Sequence, residues 1–177
     1  MPALLFPHGY ADSVLAIDYA RLHDMGIRGL IFDIDNTLVP HGGDATAEVE
    51  ALFRRLHAQG FRTLLLSNNS EARIRHFNRH IGTRYIHNAR KPSPAAYIKA
   101  VETLGLDKSE VVVIGDQLFT DVLGAGRSGL KSILVRYIGH ERKEWKGWRR
   151  MAERIVLAVY ALLPPSRHRL SSALQPR

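Results

Sequence analysis

Three features of the chain predict an α/β fold with an open, doubly wound, mostly parallel five-stranded sheet. Short β-rich runs alternate with amphipathic helical stretches, and three of the runs end in polar groups. Two runs, Leu64-Leu65-Leu66 and Val111-Val112-Val113-Ile114, are apolar without a break, as in strands covered on both faces. This alternation calls for right-handed crossovers on both sides of a parallel sheet.

The elements follow in order. A helix is predicted from about Asp12 to Asp24, stopped by Gly26, and "GLIFDI" is the first strand. In "TAEVEALFRRLHAQG", Val49, Leu52, Phe53 and Leu56 recur at helical spacing and Gly60 ends the pattern, giving a helix with one buried stripe. "FRTLLLS" is the second strand, and "SEARIRHFNRHIG" a helix with Ile74, Phe77 and Ile81 inward. "RYIHN" is a short third strand. "SPAAYIKAVETLG" has Ser93 as cap, Pro94 at the first helical position and Gly105 at its end. "EVVVIGD" is the fourth strand, "TDVLGAGRSG" a short helix and "KSILVRY" the fifth strand.

With 177 residues, 45% of them hydrophobic and 24% charged, the chain has the size and balance of one soluble domain. It has no cysteine, which excludes disulfides, thiolate metal sites and cysteine nucleophiles. "MPALLFPHGYADS" lacks a basic start and a long apolar stretch, so it does not read as a secretory signal, and the expected location is the cytoplasm. The net charge of +8 is concentrated at one end: residues 136 to 177 carry 10 Lys and Arg against 3 Asp and Glu. The domain reading is a core over 1–138, a basic amphipathic helix over 139–163 and a loose tail over 164–177.

Ligands of open α/β sheets bind beyond the carboxyl ends of the strands. Here those ends carry Asp33 and Asp35, then Ser67-Asn68-Asn69, then Gly115-Asp116. In an extended segment, residues two apart face the same way, so Asp33 and Asp35 point to one edge, where they repel unless a cation intervenes. With Asp116 they make three carboxylates, a hard-oxygen setting suited to Mg²⁺. Lys91 lies just before the helix starting at Ser93, Ser67 offers a hydroxyl and Asn68 a backbone N–H. Together these groups describe a phosphoryl site.

Each feature alone has a plainer reading: a solvated acidic loop, a helix cap at Ser67-Asn68-Asn69, a surface lysine, a turn at Gly115-Asp116. A calcium loop fails, because Leu38 and Asp44 stand where that pattern needs Gly and Glu. Joint placement at strand ends in the expected order is what lifts the set.

"DIDNT" at 33 to 37, Ser67 ending an apolar strand, Lys91 before a helix and "GDQLFTD" at 115 to 121 resemble the four motifs of haloacid dehalogenase superfamily phosphatases, with their Rossmann-like core. "GLIFDIDNTLV", "SNNSEARI", "ARKPSPAA" and "VVVIGDQLFTDVLGAGRSG" are similar to the YqeG-type phosphatases of subfamily III A. The resemblance covers roughly residues 1 to 138. It implies Asp33 as nucleophile, forming an aspartyl-phosphate, and Asp35 as general acid and base. It also implies Mg²⁺ held by the Asp33 side chain, the Asp35 main-chain carbonyl and Asp116, with Asp121 in support behind them. Ser67, Asn68 and Lys91 would hold the phosphoryl oxygens.

Many relatives carry a cap domain, and this chain has no room for one, since a helix begins about ten residues past Asp35 and few residues separate "RYIHN" from Lys91. An uncovered site gains specificity from a large substrate, a neighbouring subunit or a membrane surface. In "EWKGWRRMAERIVLAVYALLPP", Trp145, Trp148, Ala152, Ile155, Val159 and Leu162 share a helical stripe beside Lys146, Arg149, Arg150 and Arg154. The apolar run Ile155 to Leu163 is too short to span a bilayer, which takes roughly 20 residues. Such a helix lies on an anionic membrane, through residues 140 to 163, or packs on its own domain. Some family members are phosphatidylglycerophosphate phosphatases, and that lipid is the expected substrate, with Arg73, Arg75 and Arg90 as candidates for its second phosphate. The alternatives are a phosphatase of soluble or nucleic-acid phosphomonoesters, and an RNA- or ribonucleoprotein-binding module with a vestigial site.

Overall fold

The computed structural model describes residues 2–136 together with Ile138 and Ala158. The five expected strands form, as β2 (Gly29–Phe32), β3 (Arg62–Leu66), β4 (Arg84–Ile86), β5 (Val111–Gly115) and β6 (Lys131–Val135). A sixth, β1 (Gly9–Ala11), pairs in parallel with β6, so the sheet has six strands in the order β1-β6-β5-β2-β3-β4. All its pairings are parallel. Three residues containing a glycine carry no strand pattern of their own, and β1 exists because the β6 edge offers it backbone partners.

The expected N-terminal helix is shorter and divided. A 3-10 turn at Val14–Ala16 gives way to extended Ile17, and α1 (Tyr19–Asp24) starts afresh. Asp18 causes the restart: its carboxylate accepts a 2.9 Å hydrogen bond from the Arg21 N–H, the geometry of a cap.

The remaining helices are α2 (Ala47–Ala58), α3 (Glu71–Asn78), α4 (Pro94–Leu104) and α5 (Leu123–Arg127). Thr46 and Ser70 cap α2 and α3 by accepting from the N–H groups of Val49 and Arg73. Helix α4 opens on Pro94 and closes on Gly105 in the left-handed conformation. Helix α2 buries Val49, Leu52, Phe53 and Leu56, the stripe its spacing predicts, each contributing about 1.5–3 kcal/mol by leaving water.

Alternate strand residues face opposite layers. Leu30 and Phe32 of β2 pack with α1, α2 and α3, whereas Ile31 packs with α4 and Ala125 of α5. This doubly wound arrangement covers β2, β3 and β5 on both faces. From β2 the chain proceeds to β3 and β4 on one side, then returns to β5 and β6 on the other. The sheet's switch point therefore lies between β2 and β5, where a crevice opens at the strand ends.

The connections 33–46 and 87–93 contain no helix or strand beyond an isolated Asp35–Val39 bridge, so neither carries a cap. No helix among the described residues is long and apolar enough to cross a membrane. The helix expected over 139–163 and the tail over 164–177 fall outside the described residues, apart from exposed, helical Ala158.

Candidate active site

Asp33 directly follows β2, and its N–H donates to the Ile114 carbonyl of β5, so the ladder itself carries the aspartate to the switch point. The Lys91 ammonium meets it there, with Nζ 2.6 Å from Asp33 Oδ1 and 2.7 Å from Asp121 Oδ1. The lysine side chain is only 4% exposed. Burial works against its charge, but the Asp121 and Asp33 carboxylates outweigh that and hold its pKa well above the ordinary lysine value. Two of its three N–H donors are engaged, leaving one for a ligand.

Asp116, one residue past β5, faces the same centre. Thr37 Oγ1 lies 3.1 Å from Asp116 Oδ1 and 3.4 Å from Asp33 Oδ2, and its single proton serves the two carboxylates. Asp33, Asp116 and Asp121 each present an oxygen within 4.8 Å of the others. Asp121 therefore stands within the acidic cluster. Its position depends on a wide turn at Leu118–Val122, in which both the Asp121 and Val122 N–H groups donate to the Gln117 carbonyl. Gly115 leaves the space, since a Cβ there would overlap the Asp121 carboxyl group.

Asp35 takes a different set of partners. Its carboxylate accepts from Asn69 Nδ2 at 2.7 Å and from the Gly42 N–H at 3.1 Å, with Arg73 at 3.5 Å and His41 Nδ1 at 3.3 Å. The three carboxylates gathered at the centre are thus Asp33, Asp116 and Asp121, and not the trio with Asp35 that strand alternation suggests. The Asp35 carboxylate is held by partners on the Gly42 loop, Asn69 and Arg73, and directly after it the chain turns, with Asn36 left-handed at φ 64 and its N–H on the Val39 carbonyl.

These settings separate the two acids. Burial pushes the Asp33 carboxyl up to about 6, with Lys91 pulling it down and Asp121 adding to the rise. Burial also raises Asp35, but the Asn69 amide, the Gly42 N–H, His41 and Arg73 together outweigh it and hold that carboxyl below the usual range. Asp116 is pushed up to about 8, by burial first and then by the Asp121 and Asp33 charges.

The cluster's charge fits a divalent cation. One ammonium against three carboxylates leaves two negative charges when all are ionised, in a buried, all-oxygen setting. Like charges this close stay ionised together only with a cation between them.

Ser67 and Asn68 follow β3, and Lys91 comes just before α4. Ser67 Oγ accepts from the Asn69 N–H at 3.2 Å, which leaves the serine proton to donate elsewhere. Asn68 Oδ1 accepts from the Lys91 N–H at 2.8 Å, tying the two loops together. Among the described residues the Asn68 N–H has no partner. Thr37, Asn69, Arg73 and His41 were not singled out for these contacts by sequence reasoning. Thr37 lies inside the "DIDNT" string, but the others reach the site from separate loops and α3.

A doubly wound parallel sheet with a buried acidic cluster and a lysine at its switch point is the frame of an α/β enzyme. Comparison with known proteins gives the family. The sequence profile of haloacid dehalogenase-like hydrolases matches residues 41–129, and the chain belongs to that family of enzymes. It is 35% identical to "Probable phosphatase YqeG" of Bacillus subtilis, over 86% of this chain and 90% of that one. It is 25% identical to a chloroplast and mitochondrial phosphatidylglycerophosphate phosphatase of Arabidopsis thaliana, over 74% of this chain and 40% of that one. Among solved structures, the fold is shared with an uncharacterized protein of Listeria monocytogenes, with a TM-score of 0.54 at 17% identity, covering 77% and 100% of the two chains. It is also shared with the cobalt-bound deoxy-D-mannose-octulosonate 8-phosphate phosphatase of Haemophilus influenzae, with a TM-score of 0.51 at 14% identity, covering 77% and 91%.

Proposed function

We propose that the protein is a Mg²⁺-dependent phosphomonoester hydrolase that works through an aspartyl-phosphate on Asp33. The observation that carries this reading is the buried Lys91–Asp33 contact of 2.6 Å beside the acidic cluster at the switch point. Asp33 is a carboxylate placed to attack phosphorus, with a lysine placed to hold the oxygens of the transferring group.

In the first half-reaction a carboxylate oxygen of Asp33 bonds to phosphorus, the bond to the leaving alcohol breaks, and Asp35 gives that alcohol its proton. In the second, water attacks phosphorus, Asp35 takes the water's proton, and the Asp33–phosphorus bond breaks to release inorganic phosphate. Held below the usual range, Asp35 is ionised when the second step begins, as a base must be. For the first, an incoming phosphate dianion adds negative charge nearby and favours protonated Asp35. The Ser67 hydroxyl, the Asn68 N–H and the third Lys91 proton hold the phosphoryl oxygens. Asp33, Asp116 and the Asp35 main-chain carbonyl, with Asp121 beside them, would hold Mg²⁺, which would offset the charge of the cluster and of the transferring phosphoryl group.

The substrate proposed is phosphatidylglycerophosphate. The similarity to the Arabidopsis phosphatidylglycerophosphate phosphatase supports it, as do the absence of a cap and the basic, Trp-bearing sequence 140–163. The backbone supports it too: the Ile138 N–H donates to the Asn36 carbonyl at 3.0 Å, so Ile138, which precedes the basic sequence, is held one residue from Asp35. A site so placed at an anionic membrane surface would meet a lipid head group directly. The test is a panel of phosphomonoesters with Mg²⁺, wild type beside Asp33→Asn. Phosphate release from the lipid in mixed micelles, absent in Asp33→Asn, is the expected result. Vigorous turnover of soluble esters with none of the lipid would transfer the proposal to a soluble substrate.

A further inference from the structure

Three arginines lie near the candidate site in sequence, and the structure separates them. Arg73 is engaged by Asp35 and the Gly43 carbonyl, and its guanidinium lies over the Phe77 ring. Arg75 sits exposed on α3. Arg90 lines a cavity of about 350 Å³ together with Asn68 and Asn88. Among the described residues its guanidinium has no hydrogen-bond or ion-pair partner.

The loop that presents Arg90 is fixed to the loop after β3 that carries Ser67 and Asn68. The Asn88 N–H donates to the Asn69 carbonyl at 2.9 Å, the Ala89 N–H to the Ser67 carbonyl at 3.0 Å and the Lys91 N–H to Asn68 Oδ1 at 2.8 Å. Arg90 itself is left-handed, at φ 53, as is Asn88 at φ 46. The Lys91 bond makes Asn68 Oδ1 an acceptor, and among the described residues its Nδ2 donors have no partner. The cavity thus carries a planar guanidinium and an amide NH₂, and among the described residues no carboxylate lines it. A guanidinium of this kind recognises phosphate or carboxylate by paired hydrogen bonds.

Arg90 and Lys91 are consecutive, yet one faces an open cavity and the other is buried against Asp33. We infer that the cavity is a second anion subsite, and that preferred substrates are phosphomonoesters whose alcohol carries another anionic group, received by Arg90 and Asn68. The inference rests on the phosphatase reading and narrows its substrate class. A phospholipid head group and a soluble bisphosphate share this chemistry.

The test compares kcat/KM for p-nitrophenyl phosphate, soluble glycerol bisphosphate and phosphatidylglycerophosphate in mixed micelles, in wild type, Arg90→Gln and Arg90→Lys. Wild type is expected to prefer one or both doubly anionic substrates. Arg90→Gln should cut that preference about 10-fold, mainly through KM, the loss of one charge-assisted contact. Arg90→Lys should restore part of it. Loss in the micelle arm alone assigns a lipid source, and loss in the soluble arm a free bisphosphate. A preference unchanged by Arg90→Gln in both arms overturns the subsite. If wild type hydrolyses none of the three, the phosphatase reading fails, and calorimetric titration of Asp33→Asn with glycerol bisphosphate reads the subsite independently. There, Arg90→Gln should weaken binding about 10-fold, and equal affinity overturns the inference.

Discussion

Asn69 Nδ2 donates a 2.7 Å hydrogen bond to Asp35 Oδ2, and this contact helps turn the Asp35 carboxylate away from the Asp33 cluster. Two acids two residues apart therefore occupy different electrostatic settings, one raised by burial and one lowered by its hydrogen bonds. Replacing Asn69 by Ala removes a group that keeps Asp35 ionised, so its pKa rises. Asp35 gives its proton in the first step, so the alkaline limb of the kcat/KM profile for an alkyl phosphate is expected to move to higher pH, and steady-state rates across the pH range check it.

Asp35→Asn separates the two proton transfers. For an alkyl phosphate, whose leaving oxygen needs a proton, turnover should fall about 10²- to 10⁴-fold. With p-nitrophenyl phosphate the first step needs no acid, so phosphoenzyme should form in a burst and then hydrolyse slowly. Stopped-flow release of nitrophenolate reads both phases, and the absence of a burst would contradict the assignment.

The cluster makes the cation-free protein sensitive to alkali. Asp33 and Asp116 rise from 3.8 to about 6 and about 8 on folding, so between those values the folded state holds more protons than the unfolded chain. Stability contributed below pH 3.8 is therefore lost as pH climbs through about 6 and then about 8. In the presence of chelator, Tm should drop across this window, and Mg²⁺ should restore it most at the alkaline end. Asp116→Asn removes a buried like charge, so at pH 8 without metal it should raise Tm by about 2–4 °C for each kcal/mol relieved, while losing the response to Mg²⁺. Scanning calorimetry decides both.

Tyr97 connects α4 to the turn that holds Asp121. Its hydroxyl donates to the Thr120 carbonyl at 3.0 Å, and its ring lies against Gly124, where any Cβ would overlap it. Gly124→Ala should displace the ring, cost about 1–3 kcal/mol of stability and lower kcat through Asp121. Tyr97→Phe keeps the ring and loses only the hydrogen bond, so kcat should fall with Tm changed by a few degrees at most. Denaturant melts beside kinetics separate the two effects.

Much of this was legible in the sequence. Unbroken apolar runs identify the central strands, and polar residues at their ends lead to Asp33, Asp116 and Ser67, because parallel strands bring equivalent ends to one edge; Lys91 stands out by its place just before the helix that starts at Ser93. What was hidden depended on other parts of the fold. Strand β1 has no pattern apart from its partner β6. Asp121 enters the cluster only because the Leu118–Val122 turn is wide and Gly115 is bare. The partners of Asp35 come from the loop at His41–Gly43, from Asn69 and from Arg73 on α3, and no spacing along the chain reveals that meeting.

The proposed membrane contact is tested by removing residues 140–177. The shortened protein should lose binding to vesicles of anionic phospholipid and retain hydrolysis of p-nitrophenyl phosphate. Unchanged vesicle sedimentation would place the contact elsewhere.

The central claim is that Asp33 carries the phosphoryl group, and rapid chemical quench with ³²P-labelled substrate tests it most directly. The label is predicted on the peptide containing Asp33, labile to hydroxylamine as an acyl phosphate is, and absent from Asp33→Asn. Label on another residue, or wild-type turnover by Asp33→Asn, would contradict it.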